Sequence, residues 1–335
     1  VSSTLSRDGW PGAYPPPEQH GPPREESRND PTPSPSPTSL TSATSPTSLA
    51  SPTPLTSPAS LRFGYGTNGF TNHRLGDVLA VLADLGYDGV ALTLDHGHLD
   101  PTADDLPRRV TAVARDLARH GLDVTVETGA PYLLDPWGKH HPTLMTEGAE
   151  RRIDLLRRAV RIAADLGSPT VHLCSGPAPD EGLPERDAWK RLAAGVETVL
   201  ETAGKYGVSL AFEPEPYMFV DTVERCLELA EMVGGHELFG ITLDIGHAHC
   251  VEERTVLECV RLAAPRLLNV QIEDMRRGVH QHLELGTGEI DFPPVLAALR
   301  DLDHRGLVSV EIQGGSLDAP EVARRSLDFL RAATA

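Results

Sequence analysis

From Leu61 onward the chain alternates between two textures. Short runs of apolar and β-branched residues are separated by longer segments that carry charge at helical spacing. The short runs predict strands over Leu61–Thr67, Gly89–Leu94, Asp123–Glu127, Thr170–Cys174, Val208–Glu213, Gly240–Asp244, Leu268–Ile272 and Leu307–Ile312. The amphipathic segments predict helices over His73–Leu85, Ala103–His120, Glu147–Leu166, Glu185–Tyr206, Thr222–Val233, Glu252–Ala263, Phe292–Asp303 and Asp318–Ala332. Gly86, Gly121, Gly167, Gly207 and Gly306 each fall between a helix and the next strand, where a left-handed cap costs least without a Cβ. Strands this apolar cannot face water, so strict alternation with helices implies a parallel sheet covered by helices. Eight such units predict a closed (β/α)8 TIM barrel over residues 61–335. An open doubly wound sheet is the alternative, but Gly64, Gly66 and Gly69, which fit G-x-G-x-x-G, begin inside the first strand and do not follow it, so they give a dinucleotide site no support.

Residues 1–60 have a different composition. They contain 14 of the 29 prolines, and 24 of the 30 positions from Pro31 to Ser60 are Pro, Ser or Thr. Such a stretch cannot bury enough apolar surface to offset its ordering entropy, so a disordered low-complexity leader is expected. It reads either as a functional tail or, because the first residue is Val1, as sequence upstream of the real start. It lacks the basic start and apolar core of a secretory signal, and nowhere are there enough consecutive apolar residues for a membrane span. Cys174, Cys226, Cys250 and Cys259 form no C-x-x-C pair, which suits a reducing compartment. A cytoplasmic protein is expected.

The chain holds 48 acidic and 30 basic residues, for a formal charge of −18. That excess argues against nucleic acid as a partner. Residues 1–60 contain only five acids and three bases, so nearly all of the imbalance lies in the barrel. The arginines at 151, 152, 157, 158 and 161 look basic as a group, but at helical spacing they predict a solvated face with ion pairs.

In a closed barrel the chemistry sits at the C-terminal ends of the strands. Polar residues end several otherwise apolar runs there: Glu127, Glu213 (V-S-L-A-F-E-P-E-P), Asp244 (I-T-L-D-I-G-H-A-H), Gln271 and Glu273 (L-N-V-Q-I-E-D), and Glu311 (V-S-V-E-I-Q-G). Any one of these reads equally well as a helix cap or a solvated strand end. Glu213, Asp244 and Glu311 on neighbouring strands, however, would repel one another unless a cation or a shared proton holds them. A divalent metal is the economical answer. With an amide oxygen from Gln271 its shell is oxygen-rich, suited to Mn²⁺ or Mg²⁺. His247 and His249 follow Asp244 closely, and His280 and His282 follow the seventh strand. They read either as histidines on a solvated rim or, since i and i+2 point the same way in an extended segment, as a pair that holds a second metal with His247. The loop Asp135–Pro142 would lie on the same face, either as plain surface or as a lid with Trp137 as an apolar wall.

With these residues in place, the chain from about residue 61 onward resembles the xylose-isomerase-like barrel superfamily. That group includes sugar epimerases, inosose and hydroxypyruvate isomerases and, more distantly, endonuclease IV. The likeness rests on E-P at Glu213, D-I-G-H at Asp244–His247, Q-I-E-D at Gln271–Asp274, L-G-T-G-E-I-D-F at Leu285–Phe292, and V-E at Val310 and Glu311. It implies that Glu213, Asp244, Gln271 and Glu311 hold one divalent ion, Mn²⁺ first, with Mg²⁺, Co²⁺ or Zn²⁺ in its place. Glu213 and Glu311 would flank the substrate as acid and base. His247 and Arg277 would bind substrate oxygens, with Glu127, Trp137 and Glu273 as further substrate contacts. Gln271 is a departure, standing where the family has a histidine, and Glu273 stands where a lysine is common. The triplet His280-Gln281-His282 matches a zinc-binding D-R-H of endonuclease IV, whose two earlier histidine positions fall near Glu127 and Cys174.

The function these features predict is a metal-dependent isomerase or epimerase of a small polyhydroxy ketone: a ketose, a sugar phosphate or a keto-cyclitol. Proton abstraction next to the carbonyl would give an enediolate. A keto-cyclitol dehydratase or lyase would start with the same step. A zinc-dependent hydrolase or phosphodiesterase of the endonuclease IV type and a non-catalytic sugar-binding barrel are the other readings. The resemblance also favours a homodimer or homotetramer.

Overall fold

In a computed structural model of the chain, the described residues are 60–179 and 182–335. The predicted leader, residues 1–60, lies outside them except for Ser60. Eight parallel strands close on themselves: β1 (Arg62–Gly66), β2 (Gly89–Thr93), β3 (Asp123–Glu127), β4 (Thr170–Cys174), β5 (Ser209–Glu213), β6 (Phe239–Asp244), β7 (Leu267–Ile272) and, last in the chain, β10 (Leu307–Val310). Each pairs with its neighbours in sequence, and β1 joins β10 to β2. The helices between them are α1 (Leu75–Leu85), α2 (Leu106–His120), α3 (Ala149–Leu166), α4 (Glu185–Tyr206), α5 (Val223–Met232), α6 (Ile245–Val251), α7 (Val256–Ala263), α8 (Phe292–Asp301) and α9 (Ala319–Thr334). The predicted TIM barrel is therefore the observed fold. Among the described residues no helix is long and apolar enough to cross a membrane.

The strands are buried on both faces, as a barrel wall inside a ring of helices requires: every residue of β2 and β6 is buried. Four of the five predicted glycine caps adopt left-handed backbone, at Gly86, Gly121, Gly167 and Gly207. Gly306 does not. The left-handed position after α8 falls to Asp303, at φ 54°.

The wall is registered so that polar strand ends meet. Thr93 pairs with Glu127 and Glu127 with His172, forming one row across β2, β3 and β4. Cys174 pairs with Glu213, and Asp244 with Gln271.

Two elements differ from the sequence reading. The sequence reading places no element between the strand ending at Asp244 and a single helix over Glu252–Ala263. Instead α6 begins at Ile245, because the Asp244 carboxylate accepts the His247 backbone N–H at 2.7 Å and caps the helix. α7 then starts anew at Val256, under a capping box made by Thr255 and Glu258. The segment after β7, read as a loop, is an antiparallel hairpin of β8 (Asp274–Arg276) and β9 (Val279–Leu283). It folds over α6 and carries His280 and His282 on alternate positions of β9.

Gly240 marks the tightest approach in the wall. A Cβ there would collide with the Arg266 carbonyl oxygen and the Leu268 side chain across β6 and β7. Gly240→Ala should therefore lower unfolding stability by about 1–3 kcal/mol, the usual cost of overpacking a filled core. Urea denaturation checks this, and an unchanged midpoint would mean that the two strands separate at little cost.

Candidate active site

The C-terminal mouth of the barrel holds a cavity of about 460 Å³, including its open entrance. Glu127, His172, Glu213, Gln271 and Glu311 line it from the strands, and Lys139 and His140 from the loop after β3. Asp244 lies just beneath, with its side chain fully buried.

Glu213 is the best-anchored acid. Its Oε2 meets His172 Nε2 at 2.6 Å, and its Oε1 lies 2.9 Å from His247 Nδ1. Burial alone would raise its pKa, but the positive field and hydrogen bond of His172, joined by His247, hold the carboxyl well below the usual range. The partners respond in the opposite sense. Burial opposes the His172 imidazolium, but Glu213 outweighs it and raises the ring to about 9. For His247, Asp244 and Glu213 together overcome burial and raise the ring to about 10.

Three nearby acids shed charge instead. Burial and then Glu311 push Glu127 up to about 8. Burial and then Glu213 push Glu215 up to about 7. Burial and then Asp244 raise Glu273 far above the carboxylate range.

Several buried oxygens in this cluster have no hydrogen-bond partner: Glu213 Oε1, whose contact with His247 is an ion pair, both oxygens of Glu273, Asp244 Oδ2, whose companion oxygen caps α6, and Gln271 Oε1, on a residue only 2 % exposed. The Gln271 amide nitrogen is used, donating to Glu127 Oε1 at 3.0 Å. Ligand atoms of Glu213, Asp244 and His247 all lie within 4.8 Å of one another. Buried, unpartnered oxygens beside a group of this kind fit a hard divalent cation. Glu311 stands on the same wall, outside that close group, with its Oε1 accepting from Asn68 at 2.8 Å and Gln313 at 3.0 Å. His247, His280 and His282 form a second close group, with 2.9 Å between the Nε2 atoms of His247 and His280. His247 is thus a buried helical residue and not part of a solvated rim.

Three expected substrate contacts do not face the cavity. Trp137 is 93 % exposed, because its backbone N–H turns back to the Asp135 carboxylate and the loop presents Lys139 and His140 inward instead. Arg277 sits in the tip of the β8–β9 hairpin, where its guanidinium donates to the His249 carbonyl at 2.9 Å and lines an outer groove. Glu273 is fully buried against α6, in the space a Cβ on Gly246 would need.

His172 and Glu215 were missed from the sequence. A histidine inside the apolar run T-V-H-L-C was the available signal for the first, and the second acid of E-P-E-P for the other. The arginine-rich face of α3 also needs correction. Arg152 is buried, donating from Nε to the Pro142 carbonyl and from Nη2 to the His140 carbonyl, each at 2.9 Å.

A family profile described as "Xylose isomerase-like TIM barrel" matches residues 79–333. The chain belongs to this family. Its relatives include an L-ribulose 3-epimerase of Mesorhizobium japonicum, 29 % identical over 238 residues that cover 70 % of this chain and 73 % of that protein. An L-ribulose 3-epimerase of Methylomonas sp. is 25 % identical over 253 residues, covering 73 % of this chain and 80 % of its own. Among solved structures, one of L-ribulose 3-epimerase superposes with a TM-score of 0.67 at 25 % identity, covering 82 % of this chain and 94 % of that one. An AP endonuclease, family 2, from Brucella melitensis shares the fold with a TM-score of 0.66 at 18 % identity, over 81 % of this chain and 98 % of its own.

Arg152 ties the cavity's loop to α3, and removing it leaves two buried carbonyls without donors, at about 1–3 kcal/mol each. Arg152→Met should speed amide hydrogen exchange across residues 131–148 while leaving the strands protected. Unchanged exchange in that loop would show that its other contacts suffice.

Proposed function

We propose that this chain is a metal-dependent epimerase or isomerase of a small polyhydroxy ketone. The observation that carries the reading is the convergence of Glu213, Asp244, Gln271 and Glu311 on one buried mouth, with an oxygen of each of the first three left without a hydrogen bond. The named activities of the relatives, L-ribulose 3-epimerases, agree with it. In this reading Glu213, Asp244, Gln271 and Glu311 hold one divalent ion. When bound, the ion supplies Lewis acidity toward the carbonyl and neighbouring hydroxyl oxygens of the substrate.

The residues do the rest. Glu213 is kept ionised by His172 and His247, so it is ready to take the proton from the carbon next to the carbonyl. Glu311 is held by Asn68 and Gln313 and returns a proton to the opposite face or to the adjacent carbon. His247 is within reach of substrate oxygens, and Lys139 and His140 close the cavity from the loop side. Burial limits water, which preserves the strength of these charge interactions.

The histidine group carries a second reading. His247, His280 and His282 would hold a second ion, as in a zinc-dependent phosphoesterase. The acid excess of the chain opposes a nucleic-acid substrate for such an activity. Metal content separates the two. One exchangeable Mn²⁺ per chain favours the epimerase, whereas two or more tightly held zinc ions favour the hydrolase.

L-ribulose, D-allulose and keto-cyclitols incubated in D₂O with the Mn²⁺-loaded protein should gain solvent deuterium next to the carbonyl. Glu213→Gln and Glu311→Gln should each slow that exchange by about 10²–10⁴-fold, the usual worth of a positioned acid or base. Chelation should abolish it and Mn²⁺ restore it. No deuterium entry across the panel, with the metal bound, would overturn the epimerase reading.

A further inference from the structure

A glutamine is an unusual occupant of a metal-facing strand position, because either end of its amide can face inward and only one of them binds a cation. Here one neighbour settles which end does. Glu127 Oε1 accepts the Gln271 Nε2–H at 3.0 Å. Glu127 is itself fixed, with Thr93 Oγ1 donating to its other oxygen at 3.3 Å. These bonds link β2, β3 and β7 across the C-terminal mouth of the barrel, through the row in which Thr93 and Glu127 are register partners. With the nitrogen committed to Glu127, the Gln271 carbonyl oxygen is left buried and without a hydrogen bond, next to its register partner Asp244.

We propose that Glu127 is a positioning residue that orients the Gln271 amide oxygen-inward, so that this chain builds an all-oxygen centre for a hard divalent ion. The inference rests on the metal reading above and adds to it how an amide takes the place of the imidazole. A histidine at residue 271 would bring one nitrogen donor and raise the affinity for zinc relative to this oxygen set. The glutamine keeps a neutral ligand of similar reach but makes it a hard oxygen. Glu127 then supports the ligand without touching the ion, as outer-shell partners of metal ligands commonly do.

The test uses the metal-stripped full chain and reads binding instead of turnover. Mn²⁺ is titrated calorimetrically, Zn²⁺ is used to displace it, and pulsed EPR on the Mn²⁺ form reports any directly coordinated imidazole nitrogen. In the wild type no such nitrogen is expected. Gln271→His should introduce one and lower the zinc concentration needed for displacement at least about tenfold. Glu127→Leu, which removes the acceptor of the Gln271 amide, should weaken Mn²⁺ binding by about 10–100-fold, the usual cost of losing an outer-shell partner. In a Gln271→Ala background the same Glu127 change should have no further effect, an outcome that a merely structural role would not give. Thermal melting of the metal-free variants checks that each is folded.

An imidazole signal in the wild type would overturn the proposal, since it would place His247 on the ion in preference to an all-oxygen set. So would unchanged Mn²⁺ affinity in Gln271→Ala. Both results leave the metal reading standing. Absence of Mn²⁺ binding by the wild type would instead remove that reading, and this proposal with it.

Discussion

Carboxyl groups from strand ends around half the barrel wall are turned into one low-dielectric mouth, and their mutual repulsion is the constraint that organises this molecule. Each uncompensated pair of like charges about 4 Å apart costs on the order of 4 kcal/mol, a large share of a domain's net stability. The chain answers in two ways. Glu127, Glu215 and Glu273 move toward their neutral forms, driven first by burial. Glu213 stays ionised, because two buried imidazoles face its two oxygens. A carboxylate that remains charged among acids that do not is the kind of separation that assigns acid and base roles in catalysis.

The scaffold matters through register. Parallel pairing brings Thr93, Glu127 and His172 into one row and Asp244 beside Gln271, so groups distant in sequence become neighbours without any loop having to reach. Loops add the remaining walls and need anchoring of their own. The segment after β3 is held by a buried arginine on the following helix, which uses its planar fork on two backbone carbonyls and leaves no surface charge to pair. Asp244 combines two tasks: one oxygen starts α6 and thereby buries His247, while the other stays free.

The barrel and its eight strands were legible in the sequence because apolar runs and helical charge spacing are local signals, and here they agree at every repeat. The strand-end acids were legible for the same reason, since position at the end of an apolar run says which rim they reach. Short elements were not. α6 depends on one side-chain cap, and the β8–β9 hairpin on polar residues with no apolar alternation, so neither has a periodicity to read. Side-chain direction in loops was equally hidden. Trp137 and Arg277 have the chemistry of substrate contacts, but the turns that carry them aim them away from the cavity.

The sequence by itself determined the class of fold, the rim at which chemistry is possible, and a surplus of acids that calls for a cation. The tertiary structure decided which of those acids keep their charge, because that depends on burial and on partners from other strands, such as His172 on Glu213. It also decided which end of Gln271 faces inward, since a single amide has no preferred sense until Glu127, 144 positions away, accepts one of its protons.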